Sequence, residues 1–88
     1  MENHYVYILQ SDVDGTFYKG YTTDYLRRLE HHNLGLSRYT SNKLPWQLVY
    51  VAVAENKRNA LIREKKLKRC NSEYLRWLID QPSNLLKG

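Results

Sequence analysis

Apolar and polar positions along the chain follow patterns that predict six secondary-structure elements. Short aromatic and β-branched runs are typical of strands, whereas apolar residues three or four positions apart indicate helices. By these patterns, strands are expected at 4–10, 16–21 and 47–54, and helices at 25–33, 56–69 and 72–80. The predicted order is therefore β-β-α-β-α-α.

The connections between these elements carry turn and capping signals. The sequence SDVDG separates the first two strands, which should therefore pair as an antiparallel hairpin. Thr22, Thr23 or Asp24 can cap the first helix. Gly35 is expected to stop that helix. The third strand, QLVYVAVA, is apolar on both faces, which is typical of the centre of a sheet.

Composition limits the class of protein and its partners. The 88 residues fit one domain, residues 1–88, and their 42% hydrophobic share is that of a globular protein. The net charge of +5 favours polyanionic partners. Lone Cys70 excludes an internal disulfide and suits a reducing cytoplasm. No apolar run approaches the roughly 20 residues that span a bilayer, so we expect a cytoplasmic protein without membrane attachment.

The first helix presents a basic pair on one face. Tyr25, Leu29 and His32 share a stripe, and Arg28 flanks it one turn before His32. One interpretation is structural, with Arg28 at the edge and His32 buried and hydrogen-bonded. The other is functional, because an Arg–His pair at this spacing presents two donors that can hold a phosphate.

An acidic residue is expected to face inward from the long basic helix. Glu64 shares a stripe with Ala60 and Leu67, and a carboxylate facing the sheet is costly unless it is paired or bound to a cation. The candidate ion-pair partners are Arg63, Lys68 and Arg28. The alternative is that Glu64 binds a hard divalent cation.

The second strand combines a glycine with residues suited to chemistry. Gly20 should mark a bulge or a place where something approaches the backbone closely. Tyr18 lies on one face of this strand, and Lys19 lies on the other with Phe17. Tyr18 and Tyr7 are either aromatic residues that pack in the sheet or groups that take part in catalysis. Seven basic residues near the long helix could together follow a nucleic-acid backbone: Lys57, Arg58, Arg63, Lys65, Lys66, Lys68 and Arg69.

These residues together resemble the motifs of the GIY-YIG nucleases. Tyr18-Lys19-Gly20 is similar to the "YIG" element, and Tyr5-Val6-Tyr7 takes the place of "GIY", with Tyr5 where that motif has glycine. Arg28 and His32 match the family's arginine and histidine, and Glu64 matches its metal-binding glutamate. The likeness spans about residues 4–70. Asn71 and Asn84 are both candidates for the late asparagine that the family often carries.

The resemblance implies an α+β fold with a small three-stranded antiparallel sheet flanked by helices. It also implies hydrolysis of nucleic-acid phosphodiesters, with DNA expected ahead of RNA, and one divalent metal, Mg²⁺ or Mn²⁺, on Glu64. Arg28 would stabilise phosphate charge, Tyr7 or Tyr18 would orient or deprotonate water, and His32 would carry a proton. A tyrosine base would need nearby positive charge, from the metal, Arg28 or Lys19. The substrate-binding residues would be Lys19, Gly20, Arg27 and Lys68.

Two other functions compete with catalysis. The missing glycine at Tyr5 and the lysine inside the second motif fit a nucleic-acid-binding module with little or no turnover. A protein-interaction domain, whose positive charge only aids solubility, is the third hypothesis. A homodimer or a partner protein is compatible with so small a domain, although no motif supports either.

Overall fold

The computed structural model describes residues 2–87 and contains all six predicted elements within one residue of their expected bounds. The strands are β1 (His4–Ser11), β2 (Phe17–Thr22) and β3 (Trp46–Ala54). The helices are α1 (Tyr25–Asn33), α2 (Lys57–Lys68) and α3 (Ser72–Ile79), and a 3-10 helix follows (Leu85–Lys87). The predicted α+β class is confirmed. Among residues 2–87, no helix has the length and apolar character needed to cross a bilayer.

The sheet has the order β2-β1-β3 with both pairs antiparallel, so the predicted hairpin is confirmed. The prediction that the third strand is central is wrong, because β1 lies at the centre and β3 at an edge. A side chain near the chain's end covers that edge. Asn84 donates to the carbonyl of Val49 (2.9 Å) and accepts from the backbone N–H of Val51 (3.1 Å).

The two faces of the sheet bury different sets of residues. Alternate positions of β1 divide between them, so Val6 and Ile8 face α2 and α3 while Tyr7 and Leu9 face α1. The buried residues on the α2–α3 side are Val6, Ile8, Phe17, Tyr50, Ala52, Ala54, Ala60, Leu67 and Leu75. The buried hydrophobic residues on the α1 side are Tyr7, Leu9, Trp46 and Val51.

Side-chain caps fix where the helices begin. Asp24, one of the three predicted candidates, caps α1 by accepting from the backbone N–H of Arg27 (3.1 Å). Asn71 caps α3 in the same way, through the N–H of Tyr74 (2.8 Å). Gly35 follows α1 with a φ of 76°, a conformation that glycine adopts without strain. The Asp24 cap sets the start of α1, and hence the positions of the basic pair.

Candidate active site

Tyr7 and Gly20 lie directly opposite each other in the β1–β2 ladder. The ring of Tyr7 covers Gly20 so closely that a Cβ on residue 20 would lie 2.5 Å from the Tyr7 hydroxyl and 2.6 Å from Cζ. The predicted close approach to the backbone is therefore confirmed, and the approaching group is Tyr7. Gly20 allows this phenol to lie flat across the strand with only 1% of its surface exposed.

The hydroxyl of Tyr7 contacts both members of the basic pair on α1. It lies 3.0 Å from Nε2 of His32, and Nε of Arg28 donates to it across 3.4 Å. The helical spacing that places Arg28 and His32 one turn apart thus directs both side chains to one oxygen of the sheet. A guanidinium, an imidazole and a phenol meet at this point.

Thr40 extends this contact into the interior. Its hydroxyl lies 2.8 Å from Nδ1 of His32, and both residues are fully buried. The carbonyl of Thr40 accepts the indole N–H of Trp46 (2.9 Å), which fixes the connection between α1 and β3. Sequence reasoning missed Thr40, because it lies in a polar connection where its spacing carries no helical or strand signal.

The pKa values at the site reflect burial more than charge. Burial raises the pKa of Tyr7 to about 12, and the hydrogen bond and charge of Arg28 oppose this rise without cancelling it. Burial also lowers the pKa of His32 to about 4, with smaller contributions from Arg28 and His31. The hydrogen bond that Arg28 donates to Tyr7 raises the pKa of Arg28. Tyr7 and His32 are therefore neutral, and Arg28 charged, at pH 7.

Burial outweighs the positive charge that lies beside Tyr7 within residues 2–87. Positive charge does lie beside Tyr7, on Arg28, but removal of the phenol from water has the larger effect. Lys19 provides no help, since it alternates to the other face of β2 and lines a hollow there with Cys70 and Arg76.

Tyr18 lies on the same face of β2 as Gly20 and borders the Tyr7 hydroxyl. Its ring packs edge-on against His32, with centroids 4.9 Å apart, and lies 6.4 Å from the ring of Tyr7. Tyr18 is only partly buried, so the predicted pair of tyrosines consists of one buried and one accessible phenol.

Glu64 lies on α2, whose buried residues pack against the other face of the sheet. Ala60 and Leu67 are buried as expected, whereas the Glu64 side chain keeps 19% of its surface exposed at the border of their stripe. Its negative charge makes the smallest of the contributions to the raised pKa of Tyr7. Lys68 lies 3.6 Å from it, which makes Lys68 the ion-pair partner among the three candidates.

Of the remaining candidate site residues, one lies next to the Tyr7 cluster and two have structural contacts elsewhere. Arg27 is exposed and lines a hollow beside Arg28 and His31, next to the Tyr7 cluster. Asn71 caps α3 and Asn84 covers the edge of β3, so both late asparagines have structural contacts. Neither has a hydrogen bond to the Tyr7 cluster among the contacts of residues 2–87.

A family model described as the GIY-YIG catalytic domain matches residues 3–75. The chain therefore belongs to the GIY-YIG family, as its motifs predict. This membership gives it a nuclease-type domain and nucleic acid as the class of molecule it binds.

Relatives named UPF0213 share most of the chain's length. A UPF0213 protein of Haloquadratum walsbyi is 36% identical and aligns over 93% of this chain and 92% of its own. One from Staphylococcus aureus is 42% identical over 77% of this chain and 83% of its own. The NMR structure of a UPF0213 protein from Bacillus halodurans, 34% identical, covers 97% of this chain and 90% of its own with a TM-score of 0.59.

Proposed function

We propose that the chain is a metal-dependent endonuclease that hydrolyses phosphodiester bonds, with DNA as its substrate. The observation that carries this proposal is the convergence of Arg28 and His32 on the Tyr7 hydroxyl. The proposal treats residues 1–88 as one catalytic domain acting in the cytoplasm.

Arg28 is the group that binds the scissile phosphate. Its guanidinium stays charged at neutral pH, and its Nε bond to Tyr7 fixes its direction. The other guanidinium N–H groups remain to donate to nonbridging phosphate oxygens, where negative charge increases in the transition state. Arg27, exposed beside it, would bind a neighbouring phosphate.

Tyr7 and His32 together remove the proton of the attacking water. With a pKa of about 12 the phenol is protonated at pH 7 and cannot itself be the base. It can accept a proton at Oη while giving its own to Nε2 of neutral His32, which is then the net proton acceptor. Thr40 holds the opposite ring nitrogen, Nδ1, so that Nε2 faces Tyr7. Tyr18, the accessible phenol, would orient the water.

Glu64 would hold the divalent metal, Mg²⁺ or Mn²⁺. Its carboxylate is partly exposed and acidic beside a cationic helix, and within residues 2–87 no three His, Cys, Asp or Glu side chains cluster as a complete cage. A single carboxylate fits a hard cation that keeps several waters and also binds substrate phosphate. When bound, such a cation would neutralise phosphate charge and assist the leaving oxygen.

The test is cleavage of single-stranded, flapped and branched DNA by the pure protein with Mg²⁺ or Mn²⁺. We expect Glu64→Gln and Arg28→Ala each to lower the rate about 10²- to 10³-fold. The matched controls Glu73→Gln and Arg38→Ala remove the same charges from exposed positions outside the site and should leave the rate unchanged. RNA strands of the same sequence test the choice of DNA.

Failure of every substrate to be cut above the Glu64→Gln background would overturn the endonuclease proposal. If salt-sensitive DNA binding persisted in that case and weakened in Arg28→Ala, the chain would be a binding module on the same scaffold. Loss of both cleavage and binding would favour the protein-interaction hypothesis.

A further inference from the structure

Two large aromatic side chains are exposed side by side on α3. Tyr74 and Trp77 expose 46% and 54% of their surfaces, and their rings lie 5.5 Å apart with planes inclined by 35°. The helix packs against the sheet through Leu75, which is 1% exposed, so the aromatic pair is not needed to bury α3. Paired exposed aromatic rings of this size mark a contact surface.

The same tyrosine borders a cleft between α2 and α3. This cleft has a volume of about 170 Å³, with Tyr50 and Leu78 among its apolar walls and Arg63 and Lys66 as its cations. Drug-sized ligands need about 300 Å³ or more, so the cleft has room for a single ring system. No acidic side chain of residues 2–87 lines it.

Flat aromatic faces beside unopposed cations fit one kind of partner, the unpaired bases of a single strand. Every base can stack on an aromatic ring, while its phosphates are attracted to lysine and arginine. A duplex would hide those base faces in its own stack. We propose that Tyr74 and Trp77, with Arg63 and Lys66, form a stacking site for single-stranded nucleic acid.

The stacking site is separate from the Tyr7 cluster but shares α2 with it. Arg63 and Lys66 line the cleft, and one guanidinium N–H of Arg63 donates to the carbonyl of Val53 (3.1 Å). Glu64 lies about 100° further around the helix from Arg63. The inference rests on the proposed function only in taking nucleic acid as the partner.

Tryptophan fluorescence tests the stacking site without any turnover. The chain has two tryptophans, and Trp46 is 4% exposed, so an added strand should change the emission of Trp77 alone. The titrations are made in EDTA with oligothymidylate, an abasic oligomer of equal length, and a duplex of equal length. The abasic oligomer carries the same phosphates without bases, and Trp77→Phe gives the emission of Trp46.

We expect oligothymidylate to quench Trp77 and to bind more tightly than the abasic oligomer. Stacking of one base is worth about 5- to 150-fold in affinity, so Tyr74→Ala and Trp77→Ala should each weaken binding within that range. Tyr39→Ala is the matched control, because Tyr39 is 81% exposed on the connection before β3. Circular dichroism verifies that each variant is folded.

Equal affinity for the abasic oligomer and oligothymidylate, without a change in Trp77 emission, would overturn the stacking site. It would also be overturned if both alanine variants bound like Tyr39→Ala. Self-association that depends on Tyr74 and Trp77, in place of strand binding, would make this surface a protein interface. Cleavage without stacking would refute this inference alone, and stacking without metal-dependent cleavage would refute only the hydrolytic function.

Discussion

The two faces of the sheet are equally buried but chemically unlike. On the α2–α3 face, Val6 and Ile8 have no exposed surface and pack within the apolar core. On the α1 face, Tyr7 and His32 are just as inaccessible, at 1% and 0% exposure, yet both are polar. Neighbouring residues of one strand, β1, therefore enter an apolar core on one side and a hydrogen-bonded polar cluster on the other.

The two faces differ in the free energy of burying their side chains. Apolar side chains gain free energy on leaving water, by about 25 cal/mol per Å². Polar groups lose hydration, and the α1 face limits this loss by giving both ring nitrogens of His32 a partner, in Tyr7 and Thr40. The remaining cost appears as the raised pKa of Tyr7 and the lowered pKa of His32.

The largest effect should come from the apolar face. Leu75→Ala removes a side chain that is 1% exposed and leaves a cavity under α3, so we expect a loss of about 2–5 kcal/mol in the free energy of unfolding. Urea unfolding measures this loss. Cleavage per folded molecule should not change, because Leu75 is on the opposite face from Tyr7. A fall in that specific activity would show that the two faces are coupled.

On the polar face, the free energy of unfolding should depend on pH through the protonation of His32. Its pKa is about 4 in the folded chain against 6.5 in the unfolded chain, so the unfolded state binds more protons between these values. The stabilisation is complete above pH 6.5 and falls by about 3 kcal/mol as pH decreases to 4. Urea unfolding across this range measures it. His32→Asn should remove this part of the pH dependence, and an unchanged slope would contradict the assignment.

A substitution at Gly20 can break the contact between Gly20 and Tyr7. In Gly20→Ala the new methyl group would meet the phenol at 2.5 Å, so we expect a loss of about 1–3 kcal/mol and a displaced hydroxyl. A double-mutant cycle with Tyr7→Val measures the coupling, because valine leaves space for the methyl group. The cost of Gly20→Ala should shrink in that background. An equal cost would place its cause elsewhere in β2.

Much of this structure could be predicted from the sequence, because periodicity and caps are local. Strand alternation separated Tyr7 from Ile8, and helical spacing placed Arg28 beside His32. The position of β3 could not be predicted from its pattern. Apolar residues on both faces of a strand show that both faces are covered, and this can be true of an edge strand as well as a central one. The outer backbone of β3 is hydrogen-bonded by Asn84.

The chemistry of the site was harder to predict, because it depends on burial across distant segments. Thr40 reaches His32 only once the connection folds beneath α1. To predict the direction of the Tyr7 pKa shift, one must know that desolvation exceeds the effect of Arg28. A sequence gives the charges of the residues but not how deeply each one is buried.

The smallest effect on stability should come from the border between the two faces, at the Glu64–Lys68 ion pair. This pair is 3.6 Å apart and the Lys68 side chain is 56% exposed, so Lys68→Gln should change stability by only about 0.3–0.5 kcal/mol. Lys68 would also compete with a divalent cation for the same carboxylate, with an effect of about twofold on the metal requirement. The Mn²⁺ concentration that gives half-maximal cleavage should therefore fall.

Lys87→Gln is the control for this change, since it removes a similar exposed pair, with Asp80 at 3.4 Å, outside the site. Binding of DNA in EDTA distinguishes metal competition from a direct contact between Lys68 and phosphate. If Lys68 also binds substrate, Lys68→Gln should weaken that binding and reduce its salt slope by about 1. An unchanged Mn²⁺ requirement in Lys68→Gln would mean that Lys68 does not compete with the cation for Glu64.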